Sequence, residues 1–242
     1  MSLDWHAAWQ ALIHHPLFGV GITLGAYQLA LAAYERNRWQ LLKPLLQPVL
    51  LSMLAVIGVL LACGLSYREY QQSAQLLIIL LGPATVALAV PLFVNLRRIR
   101  QLLWPTLLTL LIGGVVATLL GVALAWAFGA EQMILMTMAP KSVTSPIAML
   151  VAEQIGGVAA LAAVFVLITG VLGAMCGPEL LRRVGVQHPA ALGMALGLTA
   201  HAVGTAQALQ EHEESGAFAA LAMSLMGVAT AVFLPLVVAL LV

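Results

Sequence analysis

Apolar runs of about 20 residues, each long enough to cross a bilayer, recur along this chain and constrain its fold more than any other feature. Only 8% of the residues are charged, whereas a water-soluble domain carries about 25%. The sequence therefore predicts an all-α polytopic membrane protein with about seven transmembrane helices in the lipid bilayer. The runs fall at residues 17–34, 45–65, 75–95, 103–129, 156–177, 190–210 and 217–241.

A further segment, Pro140-Lys141-Ser142-Val143-Thr144-Ser145-Pro146, is shorter and polar. A proline lacks the backbone N–H and disfavours helix at the residue before it, so we expect a broken helix with Pro140 and Pro146 as breaking residues. A charge at membrane depth is typical of a solute or ion pathway. The alternative places Lys141 at a helix end, where it extends to the headgroups.

Lysines and arginines collect in three loops, at 35–43, 96–102 and 178–189. The positive-inside rule places all three in the cytoplasm. Residues 138–155 must then enter and leave the membrane on the same side, as a re-entrant hairpin, or contribute an even number of passes. In a competing topology, residues 133–154 form one full helix and the loop at 178–189 lies outside.

Two internal matches predict inverted-topology repeats with discontinuous helices, a common plan of secondary transporters. Lys43 to Pro48 repeats the Lys-x4-Pro spacing of Lys141 to Pro146, and Ala84 to Leu88 loosely resembles Gly204 to Ala208. The matching segments run in opposite directions, with the Thr205 helix running outward.

The predicted organisation has two parts. Residues 1–16 form an interfacial amphipathic helix, because tryptophans and other apolar residues alternate there with polar ones at helical spacing. Residues 17–242 form the membrane domain, with repeat one at about 40–129 and repeat two at about 138–242.

Other polar or helix-breaking residues fall inside apolar runs. Gly82 and Pro83 favour a break or a simple packing kink. Gly204 accompanies a polar helix side formed by His201, Thr205 and Gln207. Histidine titrates near neutral pH, so His201 is a candidate for proton coupling, or else a buried histidine bonded to a carbonyl.

Several classes of function lack support. The chain has no HExxH motif, no Gly-x-Ser-x-Gly and no phosphate-binding loop. Cys63 and Cys176 lack metal-ligand spacing, and no basic cluster suits nucleic acid. We expect no enzymatic activity, no cofactor, no metal and no nucleic-acid partner. Glycine pairs four residues apart are typical of close helix packing, and we expect a homodimer.

The motifs together resemble the LrgB/CidB family. The resemblance rests on Pro140 to Met149 with the following Ile155-Gly156-Gly157, on Gly82 to Leu92, on Ala200 to Ala206 and on Glu214 to Phe218. It runs from about residue 20 to the C-terminus.

The resemblance implies one of two functions. Bacterial members are described as holin- or antiholin-like modulators of murein hydrolase export and autolysis, usually paired with a small LrgA/CidA-type membrane partner. A plastid relative is described as a glycolate/glycerate transporter, and some bacterial pairs are linked to pyruvate uptake. It also implies a multi-pass protein of the bacterial inner (plasma) membrane.

We therefore expect a secondary carrier for small monocarboxylates such as glycolate, glycerate, pyruvate or lactate, with the modulator as the alternative. A fixed cation beside hydroxyls suits such a solute. The predicted binding residues are Lys141, Ser142, Thr144, Ser145, Thr85 and Thr205.

Overall fold

The structure, a computed structural model, describes residues 5–37 and 46–241, with the backbone alone for residues 5–8 and 241. Helices are the only regular elements in this part of the chain. The chain divides into two compact units, Met1–Ala87 and Leu88–Val242.

The first unit contains helices α1 to α5. Helix α2 packs along α3, and Thr23 Oγ1 in α2 lies 2.8 Å from the hydroxyl of Tyr70 in α4. Ser66 caps α4 and donates its hydroxyl to the Glu69 carboxylate at 2.7 Å, which lowers the pKa of Glu69. The helices are α1 (Trp5–Ile13), α2 (Phe18–Arg36), α3 (Pro48–Cys63), α4 (Tyr67–Ser73) and α5 (Gln75–Ala87).

The second unit contains helices α6 to α13. They are α6 (Ala89–Val94), α7 (Leu96–Gln101), α8 (Leu103–Ala127), α9 (Gln132–Met138), α10 (Ser145–Gln154), α11 (Ala159–Arg183), α12 (Pro189–Glu211) and α13 (Glu213–Leu241).

Four segments of the described chain are long and apolar enough to span a bilayer. A fifth would result if α3 and α4, bent by 114° at their junction, formed one broken span. Helices α2 and α12, which correspond to the predicted spans 17–34 and 190–210, are not among the four, so seven spans are not confirmed. The four segments are Gln75–Val94, Leu103–Ala127, Ala159–Arg183 and Glu213–Leu240.

One end of the second unit is held by ion pairs, and we call it the arginine end. Arg98 Nε lies 3.2 Å from the Glu214 carboxylate, and Arg182 Nη1 lies 3.4 Å from the Glu211 carboxylate. These contacts bring α7, the ends of α11 and α12, and the start of α13 together. The two arginine-bearing loops of this unit therefore lie at the same end.

The other end is marked by Ile155, which precedes α11. Val122 of α8 and Val238 of α13, both near the C-terminal ends of their helices, pack against the cluster that contains Ile155. Helices α8 and α13 therefore run away from the arginine end, and α11 runs towards it.

The chain between α8 and α11 turns back on itself. A short non-helical turn separates α9 from α10, and after α10 the Val158 N–H donates to Thr137 Oγ1 of α9 at 2.9 Å. Ala139 and Val151, on the two arms, share one buried cluster. We call residues 132–158 the lysine hairpin, and both of its ends lie away from the arginine end.

The two helices of the lysine hairpin are short. Helix α9 has 7 residues and α10 has 10, which gives about 10 and 15 Å against a hydrocarbon core of about 30 Å. The structure thus has a hairpin over this segment, and not a continuous helix over 133–154.

Helix α12 also doubles back. His201 has φ 42° and ψ −129°, which lie outside the helical region. Gly204 packs against the carbonyl of Leu196, although eight residues of straight helix would separate the two by about 12 Å. Ala208 also clusters with Leu196. The second half of α12 therefore returns towards the arginine end along the first half, and we call α12 the histidine hairpin.

Two predictions for this segment are wrong. Residues 190–210 do not cross the unit, because both ends of α12 lie at the arginine end. The half-helix with Thr205 runs towards that end, whereas the predicted helix runs away from the arginine-bearing loops. The physical reason is the packing of glycines against α13: Gly193 and Gly197 contact the carbonyls of Ser215 and Ala219. These contacts fix the first half of α12 beside α13.

The first unit departs from prediction as well. Helix α5 continues through Gly82 and Pro83, so the structure has no helix break at these two residues. A helix in a membrane tolerates an internal proline when other groups satisfy the freed carbonyl. Lys43, on which the first predicted repeat depends, lies outside the described residues.

Candidate functional site

Lys141 lies in the turn of the lysine hairpin, beside the middle of α8. Its Nζ donates to Ser142 Oγ at 3.2 Å and to the Ala117 carbonyl at 3.5 Å. A Cβ on Gly121 would lie 2.5 Å from Lys141 Cε, so the glycine leaves room for the lysine side chain. Because Ala117 is midway along α8, Lys141 does not extend to the headgroups from a helix end.

The Lys141 ammonium has no acidic partner in the described part of the chain. No carboxylate there lies within 4.0 Å of its Nζ. An ammonium has three N–H donors, and two are used by Ser142 and Ala117. One donor is therefore available to an anion.

Two more hydroxyls lie where α10 begins. Thr144 directly precedes the helix and Ser145 is its first residue; within the described residues, neither hydroxyl has a hydrogen-bond partner. Pro146 follows at the second helical position, where a missing N–H costs nothing. The N-terminus of α10, with its positive dipole end, therefore lies beside Lys141 in the same turn.

His201 lies at the bend of the histidine hairpin and is 3% exposed. Its Nε2 lies 2.9 Å from the Val166 carbonyl, and since a carbonyl only accepts, Nε2 carries the proton. A Cβ on Gly170 would lie 2.6 Å from His201 Cε1, so the imidazole is seated directly against α11. Only Nδ1 is left to accept a proton.

Val166 of α11 connects the two turns. Val143, next to Lys141 in the lysine hairpin, shares a buried cluster with Val166, and His201 bonds its carbonyl. Thr205 is also buried there, but its hydroxyl donates to the His201 carbonyl at 2.8 Å. The structure thus brings the two turns to one stretch of α11, with free hydroxyls on the lysine side and a paired hydroxyl on the histidine side.

Thr85 belongs to the first unit. Its side chain is exposed, and its hydroxyl donates to the Leu81 carbonyl at 2.7 Å within α5. Among the described residues, no three histidine, cysteine, aspartate or glutamate side chains lie close enough to hold a metal ion.

Sequence reasoning missed three residues that shape this site. Ala117 and Gly121 line the face of α8 beside Lys141, and Thr137 closes the mouth of the lysine hairpin. The four-residue spacing of the two small residues was the available signal. Thr137 gave none, because a threonine in an apolar run commonly bonds its own helix, as this one also does.

The comparisons with known proteins identify the family of this chain. The LrgB-like family matches residues 23–240. A holin-like protein CidB of Staphylococcus epidermidis is 34% identical over 195 residues, covering 81% of this chain and 85% of the relative. An antiholin-like protein LrgB of Bacillus cereus is 28% identical over 221 residues, covering 91% and 95%.

A third relative, the uncharacterized protein YxaC of Bacillus subtilis, is 34% identical over 217 residues, covering 90% of this chain and 93% of its own length. No solved structure matches the chain. The family match covers most of the sequence, including both hairpins. The chain therefore belongs to the LrgB-like family of bacterial membrane proteins.

Proposed function

We propose that this chain is a holin- or antiholin-like modulator of murein hydrolase export and autolysis, and that its molecular activity is the transport of a small monocarboxylate. The names of the relatives, holin-like protein CidB and antiholin-like protein LrgB, favour the modulator over a transporter. The geometry of the second unit supports the transport activity. The two are compatible because a flux of carboxylate could alter lysis indirectly.

The observation that carries the transport proposal is the pair of hairpins. They enter the second unit from opposite ends and turn at the same stretch of α11, and one turn holds an ammonium with no carboxylate partner in the described chain. Non-helical backbone at membrane depth is tolerated where it is buried or lines a wet cavity. Broken helices meeting near the midplane are a common plan of secondary transporters.

We infer that an inverted repeat lies within the second unit. Each half consists of a hairpin followed by a span, α9 to α11 and α12 to α13, and the two spans run in opposite directions. Matching residues lie 60 positions apart: Val143 and Val203, Gly156 and Gly216, and the sequence Ala-Ala-Leu-Ala at 159–162 and 219–222. By this alignment Lys141 and His201 are equivalent. It replaces the predicted halves at about 40–129 and 138–242.

In the proposed mechanism, the carboxylate of a 2-oxo or 2-hydroxy acid pairs with Lys141. The free hydroxyls of Thr144 and Ser145 bond its second oxygen, and Ser142 holds the ammonium in place. His201 accepts a proton at Nδ1 and thereby couples transport to proton movement. The roles of Thr205 and Thr85 as orienting hydroxyls stay predictions from the sequence and take no part in this mechanism.

Uptake into proteoliposomes tests the transport activity. The purified wild-type protein should accumulate labelled glycolate, glycerate, pyruvate or lactate, and Lys141→Ala should reduce the rate by more than about tenfold, because a charge-assisted hydrogen bond is lost. Lys141→Arg keeps the charge and should retain part of the activity. Arg183→Gln removes an exposed arginine at the arginine end and should leave uptake unchanged.

Two results would separate the candidates. Release of a trapped large dye by the wild type would indicate a holin-like pore and contradict a carrier. In a bacterium that lacks its own family member, murein hydrolase activity in the medium should respond to the wild type and not to Lys141→Ala. An equal response to both proteins would show that modulation does not need the solute site.

We further propose that the arginine end faces the cytoplasm of a bacterial inner membrane, and that a second copy and a small LrgA/CidA-type protein are partners. The glycine pairs at 173/177 and 193/197 are occupied by packing within the chain. Gly21 and Gly25 have open space around them, so the dimer proposal now depends on this pair. Cross-linking of Gly25→Cys in membranes tests it.

A further inference from the structure

A side groove opens at the arginine end of the second unit, between α8 and the start of α12. Its volume is about 290 Å³. Its floor is buried and mostly apolar, and its rim is exposed on the side of α8, one of the four candidate spans. The floor includes Ala190, Met194 and Phe218, and the rim includes Pro105, Thr109 and Ala191.

One end of the groove is basic. His188 lines it and is exposed, and Arg98 Nη2 lies 2.9 Å from His188 Nε2. Helix α7, which carries Arg98, also carries the exposed Arg97 and Arg100. The acidic group nearest to Arg98 is Glu214, which engages its Nε and not its Nη2.

The contacts of Arg98 leave donors for an anion. The Ala190 N–H donates to His188 Nδ1 at 3.2 Å, and Arg98 Nη2 lies 2.9 Å from His188 Nε2. A guanidinium has five N–H donors, and within the described residues Arg98 uses Nε toward Glu214 and Nη2 toward His188. Its remaining N–H donors are therefore available to an oxyanion beside His188.

The start of α12 adds to the positive charge at this end of the groove. His188 is the N-cap residue and Pro189 occupies the first turn of the helix. A helix N-terminus has a partial positive charge that favours anions such as phosphate. Basic pockets between transmembrane helices on the cytoplasmic side are also typical sites for anionic lipid headgroups.

We propose that this groove binds an anionic phospholipid, with the phosphate against Arg98 beside His188 and an acyl chain along Met194 and Phe218. A small soluble anion would satisfy the donors and leave the apolar groove empty. A neutral lipid would fill the groove but would bring no net negative charge to the basic end. The site is separate from the Lys141 turn and does not depend on the proposed transport activity.

Thermal unfolding of the detergent-purified full chain tests the proposal, with phosphatidylglycerol and phosphatidylcholine of identical acyl chains and with inorganic phosphate as probes. A ligand that binds the folded state raises the unfolding temperature according to its affinity. Phosphatidylglycerol should bind at least about tenfold more tightly than phosphatidylcholine, because only its headgroup carries a net negative charge that the basic end attracts.

Three variants locate the site. His188→Asn keeps a good N-cap but removes Nε2, and it should lower the affinity for phosphatidylglycerol about tenfold. Ala191→Phe fills the exposed groove and should weaken binding of phosphatidylglycerol without affecting the basic end. Arg183 pairs with Glu179 at the same end of the unit, and Arg183→Gln should leave the affinity for both lipids unchanged.

Three results would overturn the proposal. Equal affinity for the two lipids would remove the role of the basic end. An effect of inorganic phosphate equal to that of phosphatidylglycerol and unchanged in Ala191→Phe would indicate a free oxyanion instead of a lipid. A smaller particle of Ala191→Phe in size-exclusion chromatography would show that a second copy of the chain covers the groove.

Discussion

The lysine hairpin and the histidine hairpin both break a helix inside the second unit, but they do so with different backbone and different side chains. The lysine hairpin uses several non-helical residues, with Pro140 inside the turn and Pro146 just after it. The histidine hairpin bends at one residue, His201, which takes a positive φ without being a glycine.

The polar groups of the two turns also differ, in whether they have hydrogen-bond partners. At the lysine turn, Thr144 and Ser145 have no partner in the described chain and the ammonium keeps a spare donor. At the histidine turn, His201 bonds Val166 and Thr205 bonds His201. The comparison fits the proposed transport activity, in which the lysine hairpin binds the solute and the packed histidine hairpin supplies His201.

The largest effect should come from the packing of the histidine hairpin on α13. A Cβ at Gly197 would collide with the Ala219 carbonyl, which is backbone and cannot move aside. Gly197→Ala should therefore cost about 3 kcal/mol or more, seen as loss of monodisperse protein after heating in detergent. Gly58→Ala, with nothing within 4 Å of its Cβ position, is the matched control and should be neutral or slightly stabilising. Equal losses of stability in the two variants would contradict the packing of the histidine hairpin on α13.

The mouth of the lysine hairpin depends on a hydroxyl instead. Thr137 is 0% exposed and accepts the Val158 N–H, so Thr137→Val leaves that donor unpaired. We expect a loss of about 1–3 kcal/mol in thermal unfolding. Thr137→Ser keeps the hydroxyl and should recover most of it. If serine were as harmful as valine, the methyl group rather than the hydrogen bond would hold this hairpin closed.

The sequence predicted the lysine hairpin and not the histidine hairpin, and the reason lies in the residues. Two prolines around Lys141 remove backbone donors, which is a local and readable signal. Gly193 and Gly197 hold the first half of α12, and Leu209 holds the second half, against a helix that lies later in the chain. Such contacts are tertiary, so a continuous apolar pattern over 190–210 looked like a span.

The site was partly predictable for the same reason. A cation inside an apolar segment is energetically costly and therefore indicates a functional site, so Lys141 and its neighbouring hydroxyls could be predicted from the sequence. The role of α8 was not, because Ala117 contributes a backbone carbonyl and Gly121 contributes space. Neither contribution depends on a distinctive side chain.

A smaller effect should distinguish the backbone of His201 from its imidazole. Both His201→Gly and His201→Ala lose the bond to Val166, but only glycine adopts φ 42° without strain. Alanine should therefore be less stable than glycine by about 1 kcal/mol in thermal unfolding. If the two variants were equally stable, the bend at this residue would not be strained, and the contrast with the proline-flanked lysine turn would weaken.

The smallest effect concerns the mouths of the two hairpins. The histidine hairpin ends at an ion pair, Arg182 with Glu211, whose arginine is 49% exposed, whereas the lysine hairpin ends at the bond of Thr137 to Val158. Arg182→Gln should cost at most about 1 kcal/mol, because an exposed pair is screened by water and salt. The loss of stability relative to wild type should become smaller as the salt concentration rises from about 0.05 to about 1 M. Thr137→Val should show the same loss at every salt concentration, since a neutral hydrogen bond is not screened. Equal salt dependence of the two variants would mean that charge does not hold the histidine hairpin at the arginine end.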